Sequence, residues 1–114
     1  MKTYTFPIDG EIGKWETWDG SVDITLTDEE AARLEVSAHA APRGRLDQDP
    51  AISDIYEKVR SLAFEENKRA MQKNGTITML RQDNEEYENY TDDQIVDEEM
   101  GCWNVSFPEE LQNL

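Results

Sequence analysis

Residues 49–75, DPAISDIYEKVRSLAFEENKRAMQKNG, are the one long stretch in which caps, hydrophobic period and charge placement agree on a single element. Asp49 can accept from the first free amides of a helix, and Pro50 suits the first helical position, where an N–H would be unpaired anyway. Asn74-Gly75 supplies a left-handed exit. Between these ends Ile52, Ile55, Tyr56, Val59, Leu62 and Ala63 recur at three- and four-residue spacing, which at roughly 100° per residue places them on one stripe. That stripe predicts one wall of a core. Asp54 with Lys58 and Glu65 with Arg69 are spaced to pair along the outward side, while Lys68, Arg69 and Lys73 complement the negative end of the helix dipole. Phe64 and Met71 lie about 100° off the stripe and Glu66 falls within it, so the pattern rotates toward the helix end. Both apolar residues are candidates for cover by the chain itself and for contact with a partner.

Working outward toward the start, Tyr4, Phe6 and Ile8 alternate with Thr3, Thr5 and Pro7, the period of a strand with one buried face. Pro7 cannot donate to a ladder and predicts an edge position or a strand end. Asp9-Gly10 reads as a turn, residues 12–18 as a second short strand, and Asp19-Gly20 as a hairpin turn leading to the alternation of Val22, Ile24 and Leu26. Thr27 and Glu30 make a capping box for a helix whose inner face is Ala31, Leu34 and Ala38, and residues 40–45 break it. Beyond Gly75, residues 76–80 predict a strand with Ile77 and Met79 on one face, and Trp103, Val105 and Phe107 a closing strand before Pro108. The expected fold is α+β, a small antiparallel sheet of four to five strands with two helices packed on one face, in the order β-β-β-α-α-β-β.

The 114 residues predict a single domain over 1–114. Leu, Ile, Val and Phe make up only 22 of them and the net charge is −15, so an ordered core with an acidic segment outside it fits better than a fully apolar globule. That segment is 83–99, with nine acids and no base, open between a helix and a mobile chain. Residues 75–114 hold 11 acids against the single base Arg81. Such a balance excludes a phosphate-backbone binder and an anionic-membrane binder, because both need clustered Lys and Arg, and it predicts a basic protein surface as partner. The lone Cys102, the missing apolar core after Met1 and the absence of a run of about 20 apolar residues predict a cytoplasmic protein.

Chemistry-bearing patterns are absent. His39 has no second His and only Cys102 as a soft companion, which predicts an ordinary helix-end residue and a packed small hydrophobe, with neither catalytic nor metal role. A calcium loop begun at Asp83 fails because Gln94 stands at position twelve. Trp15 and Trp18 are three apart and point to opposite faces of a strand, so one is left to cover a hairpin tip or sheet edge or to meet a partner; Trp18 is the candidate for the partner. If 83–99 were helical it would span roughly 25 Å with one charge per roughly 3 Å, near the ~3.4 Å phosphate spacing of a DNA strand. The expectation is a non-enzymatic inhibitor of a nucleic-acid-binding enzyme acting by charge mimicry, of the anti-restriction or anti-CRISPR type and from a phage or mobile element. Its partner-binding residues would be Asp83, Glu85, Glu86, Glu88, Asp92, Asp93, Asp97 and Glu98, with Trp18, Phe64 and Met71. A toxin-neutralising immunity protein and a structural component are the alternatives. No cofactor is expected.

Overall fold

In a computed structural model that describes residues 1–12, 16–40 and 45–112, the chain is α+β with a three-stranded antiparallel sheet and several helices on one of its faces. The strands are β1 (Lys2–Ile12), β2 (Glu16–Leu26) and β3 (Cys102–Val105), in spatial order β2-β1-β3. The helices are α1 (Asp28–Ala40), α2 (Ser53–Lys73), α3 (Thr76–Asp83), α4 (Asp92–Met100) and the single turn α5 (Glu109–Gln112). Short 3-10 turns at Leu46–Gln48, Pro50–Ile52 and Glu85–Tyr87 join them.

The expected strand count and order are corrected at three places. Asp9-Gly10 and Asp19-Gly20 do not turn the chain: they lie inside β1 and β2, whose pairing runs unbroken from Lys2↔Leu26 to Ile12↔Glu16. The side-chain alternation keeps its phase through both glycines, which is what a continuous strand requires. Gly10 is there for space, since a Cβ on it would stand 2.5 Å from the Trp18 indole nitrogen. Trp15 lies outside the described residues. The second correction concerns residues 76–80, which are helical: Gly75, at φ 81°, lets α2 end and α3 begin at once, and the Asn74 side chain accepts from the Thr76 N–H. Ile77 and Leu80 then face the core at helical spacing while Met79 is exposed. Finally, Pro7 sits in the central strand. Its carbonyl accepts from the Ser106 N–H at 2.9 Å, but the β1–β3 ladder itself runs only from Ile8 to Glu11, so the missing Pro7 N–H falls beyond its end.

The core forms where the even-numbered faces of β1 and β2 meet the helices. Tyr4, Phe6, Ile8, Val22, Ile24 and Leu26 pack against Leu34 of α1, Ile55, Val59 and Ala63 of α2, and Ile95, Val96 and Met100 of α4. Leu62 is exposed, at the margin of a stripe narrower than its spacing suggests. Asp49 begins the α2 region as expected, accepting from the Ala51 N–H at 2.9 Å, and its second oxygen accepts from the Ser37 hydroxyl at 2.7 Å. Ser37, 2% exposed, thereby ties α1 to the start of α2. The expected pairs along α2 are replaced by better partners. Arg33 of α1 grips both oxygens of Asp54 at 2.9 Å, Lys58 reaches Glu30, and Glu65 and Glu66 pair three residues on, with Lys68 and Arg69. The planar Arg33 fork meets a carboxylate with two bonds, which a Lys four residues along cannot match.

Gly101 joins α4 to β3 at φ 63°, ψ −136°, a region open essentially to glycine alone, and a Cβ there would lie 2.3 Å from the Glu11 carbonyl oxygen. Gly101→Ala should cost about 3 kcal/mol or more, whereas Gly20→Ala, with its nearest neighbour atom 3.8 Å away, should stay within about 1 kcal/mol of the parent. Urea denaturation of the two variants checks this; equal stabilities would refute the assignment of Gly101 as a strained, close-packed corner.

Candidate partner-binding surface

The acidic window 83–99 comprises the end of α3, the 3-10 turn Glu85–Tyr87 and most of α4. Thr91 and Gln94 start α4 with a capping box, the Thr91 hydroxyl accepting from the Gln94 N–H at 3.2 Å and the Gln94 side chain from the Thr91 N–H at 2.8 Å. Three of the window's residues turn inward, Tyr87, Ile95 and Val96, and with Met100 just beyond it they anchor the segment to the core. The Tyr87 hydroxyl donates to Glu99 at 2.8 Å, and burial followed by that carboxylate raises its pKa above the usual phenol value.

The nine carboxylates are not equivalent. Asp92 accepts from Arg81 at 2.8 Å and from Gln72 at 2.8 Å, which hold its pKa below the usual carboxylate range, and Asp93 is paired with Lys68 at 2.6 Å. Both lie in the first turn of α4, where the helix dipole also favours an anion, and both face the basic end of α2. Asp83, Glu85, Glu86, Glu88, Asp97 and Glu98, by contrast, are exposed and form no side-chain hydrogen bond or ion pair with another described residue. The eight acids named from the sequence thus divide into a pair that fastens α4 to α2 and α3, and six that face water.

Of the apolar candidates, Trp18 is half-buried over Gly10 and its indole N–H donates to the Met100 carbonyl at 2.9 Å. Phe64 and Met71 are also half-buried against the core. Phe64 borders a shallow depression with Arg60 and Trp103, where the Arg60 guanidinium stacks 4.0 Å from the indole centre and donates to the Trp103 carbonyl at 2.7 Å. Met71 receives a weak bond from the Asn67 amide. His39 is exposed in the last turn of α1, and Cys102 is exposed on β3, which corrects its expected burial: it is out of phase with the buried Trp103 and Val105 and so lies on the outer face. Among the described residues no group of three or more His, Cys, Asp or Glu converges to hold a metal ion, and no helix is long and apolar enough to cross a membrane.

A second acidic surface escaped the sequence reading. The odd-numbered residues of β1 and β2 form the outer, water-facing side of the sheet, carrying Asp9, Glu11, Asp19 and Asp23 and no Lys or Arg. Asp9 and Asp19 are directly opposite, a placement that sets like charges about 5 Å apart between Cβ atoms and costs stability. Strand parity was the available signal, hidden by reading both Asp-Gly pairs as turns. Compared with protein-family models, curated proteins and solved structures, the chain matches none of them.

Asp92→Asn should lower stability by no more than about 1 kcal/mol, because the pair with Arg81 is partly solvated. Asp92 titrates below its ordinary value when folded, so its contribution is complete above about pH 4 and is lost as pH falls through the lowered folded value. The stability gap between parent and variant, from urea melts, should be full near about pH 6 and shrink as the pH falls below about 4; a gap that widened on acidification would contradict the assignment.

Proposed function

We propose that this chain is a small cytoplasmic, non-enzymatic protein that binds a basic protein surface and inhibits a nucleic-acid-binding enzyme by occupying its phosphate-binding channel. One observation carries the reading: nearly every cation among the described residues is engaged within the chain. Lys2, Arg33, Arg45, Lys58, Lys68, Arg69 and Arg81 are in ion pairs, and Arg60 is stacked on Trp103. The outward charge of a chain at −15 is therefore borne by acids without partners, of which Asp83, Glu85, Glu86, Glu88, Asp97 and Glu98 crowd the corner built by α3 and α4. A basic channel evolved to neutralise phosphates would be attracted to such a corner and would select for its geometry through charge spacing.

The test is displacement of a fluorescent DNA duplex from a panel of DNA-binding enzymes that includes a restriction endonuclease and an RNA-guided nuclease. The parent should displace the duplex from at least one, less well as salt rises, because exposed charges are screened over about 8 Å at physiological ionic strength. Replacing Glu85, Glu86, Glu88 and Glu98 with Gln should weaken displacement about tenfold, while the same change at Glu16, Glu29, Glu57 and Glu110 should do much less. Equal effects would mean that net charge alone acts. Binding of a basic toxin without displacement of nucleic acid would place the chain with immunity proteins instead. The double variant His39→Ala, Cys102→Ala should displace DNA as the parent does; loss of activity in the folded double variant would overturn the non-enzymatic reading.

A further inference from the structure

The two edges of the sheet differ. The β3 edge is four residues long and is covered: Arg45 bridges Ser106, and its guanidinium donates to Asn104 at 2.9 Å. The β2 edge is eleven residues long, without proline or bulge, and among the described residues pairs with β1 alone. Its outward set can be identified. The Ser106 N–H donates to the Pro7 carbonyl, so the odd residues of β1 point their backbone groups toward β3 and the even ones toward β2. The even residues of β2 are thus bonded to β1. Thr17, Asp19, Ser21, Asp23 and Thr25 direct their N–H and C=O groups away from the sheet, are exposed, and make no backbone hydrogen bond to any other described element.

We infer that this edge accepts an extended basic segment of the partner as a fourth strand, with Lys or Arg at every second position on the outer face. The inference rests on the inhibitor reading for the sign of the partner's charge. In the hydrogen-bonded register an added residue lies directly opposite an odd residue of β2 and on the same face, so its side chain meets Asp19 or Asp23. Asp9, opposite Asp19, brings a second carboxylate to the same cation, and the shallow groove of about 720 Å³ that Asp9 and Asp19 border leaves room for a long side chain. A second copy of this chain is the wrong occupant. Any well-overlapped antiparallel β2–β2 register brings Asp19 and Asp23 opposite or diagonal to their counterparts, between two chains of charge −15. Strand addition supplies affinity through main-chain bonds and specificity through alternate side chains.

The probe is the acetylated, amidated peptide (Lys-Thr)4 added to isotope-labelled chain, with amide hydrogen exchange read by NMR. Before addition the amides of Thr17, Asp19, Ser21, Asp23 and Thr25 should exchange fast and those of Gly20, Val22 and Ile24 slowly. The peptide should slow the first set. The same peptide with its Lys amides N-methylated keeps the charge and loses the bonds, so it should fail to protect them. Asp19→Asn with Asp23→Asn should weaken binding about fivefold. Equal binding by the methylated peptide, perturbation confined to 83–99, or no binding would each overturn the edge. The two readings fail separately: DNA displacement with the edge amides unprotected in that complex sinks only the strand addition, and protection by the peptide without displacement from any enzyme sinks only the mimicry.

Discussion

The sheet closes through a corner where there is no room for side chains. Trp18 lies over Gly10, its N–H is held by the Met100 carbonyl 82 residues away in sequence, and the next residue, Gly101, passes close to the Glu11 carbonyl. The hairpin and the α4–β3 segment meet only if both glycines are bare and the indole fills the space between. Loop closure over such a separation costs conformational entropy, so the compensating burial must be concentrated where the two parts touch. Trp103, paired with Gly10 from the other side, and Met100 beneath provide it. β1 is thereby flanked on both sides, which makes the first strand of the chain the centre of the sheet.

This arrangement also fixes where charge can go. With the helices on the even-numbered face, every acid at an odd position of the hairpin is exposed together with its neighbours, and no helix supplies a cation to it. Most of the paired cations lie on α1, α2 and α3, and four of them stitch helices to one another: Arg33 to Asp54, Lys58 to Glu30, Lys68 to Asp93 and Arg81 to Asp92. Exposed pairs of this kind contribute little stability each, typically below about 1 kcal/mol. Their larger consequence is electrostatic, because each pair is net neutral and the excess negative charge is left on the acids outside the pairs.

Much of this was legible in the residues. The 49–75 helix carried its own caps, and Asp49, Pro50 and Gly75 act at the positions their chemistry suggests. The Thr27–Glu30 capping box closes as its spacing implies, with bonds of 3.0 and 3.1 Å. The alternation of Tyr4, Phe6 and Ile8 named the buried face of the central strand. What misled was local chemistry overridden by distant packing. Asp-Gly is a turn signal in isolation, but Gly10 answers to a tryptophan on the neighbouring strand, and a pairwise fit of that kind has no sequence-local trace. Residues 76–80 were too short for period to separate strand from helix. The Thr91–Gln94 capping box marks α4 in the sequence itself, within a density of acids that obscures the helical period. The division of the acidic window into fastened and free carboxylates depends on which helix end lies beside it, which only the fold decides.

The opposition of Asp9 and Asp19 shows how stability and surface charge are traded in this sheet. Two carboxylates facing each other across a strand pair work against the hairpin, and serine or threonine at either position would relieve them, as Thr3 with Thr25 and Thr5 with Asp23 do further along the same face, through bonds of 2.7 and 2.6 Å. The hairpin tolerates the repulsion because its stability comes from the opposite face, where Ile8, Val22 and Trp18 are packed and the corner at Gly10 and Gly101 is locked. A cation from outside would reverse the sign of the local interaction, turning two repelling groups into one paired site. Binding energy at such a place includes relief of a strain already present in the free protein, so a modest contact there can favour association more than an equally exposed carboxylate on α3 or α4.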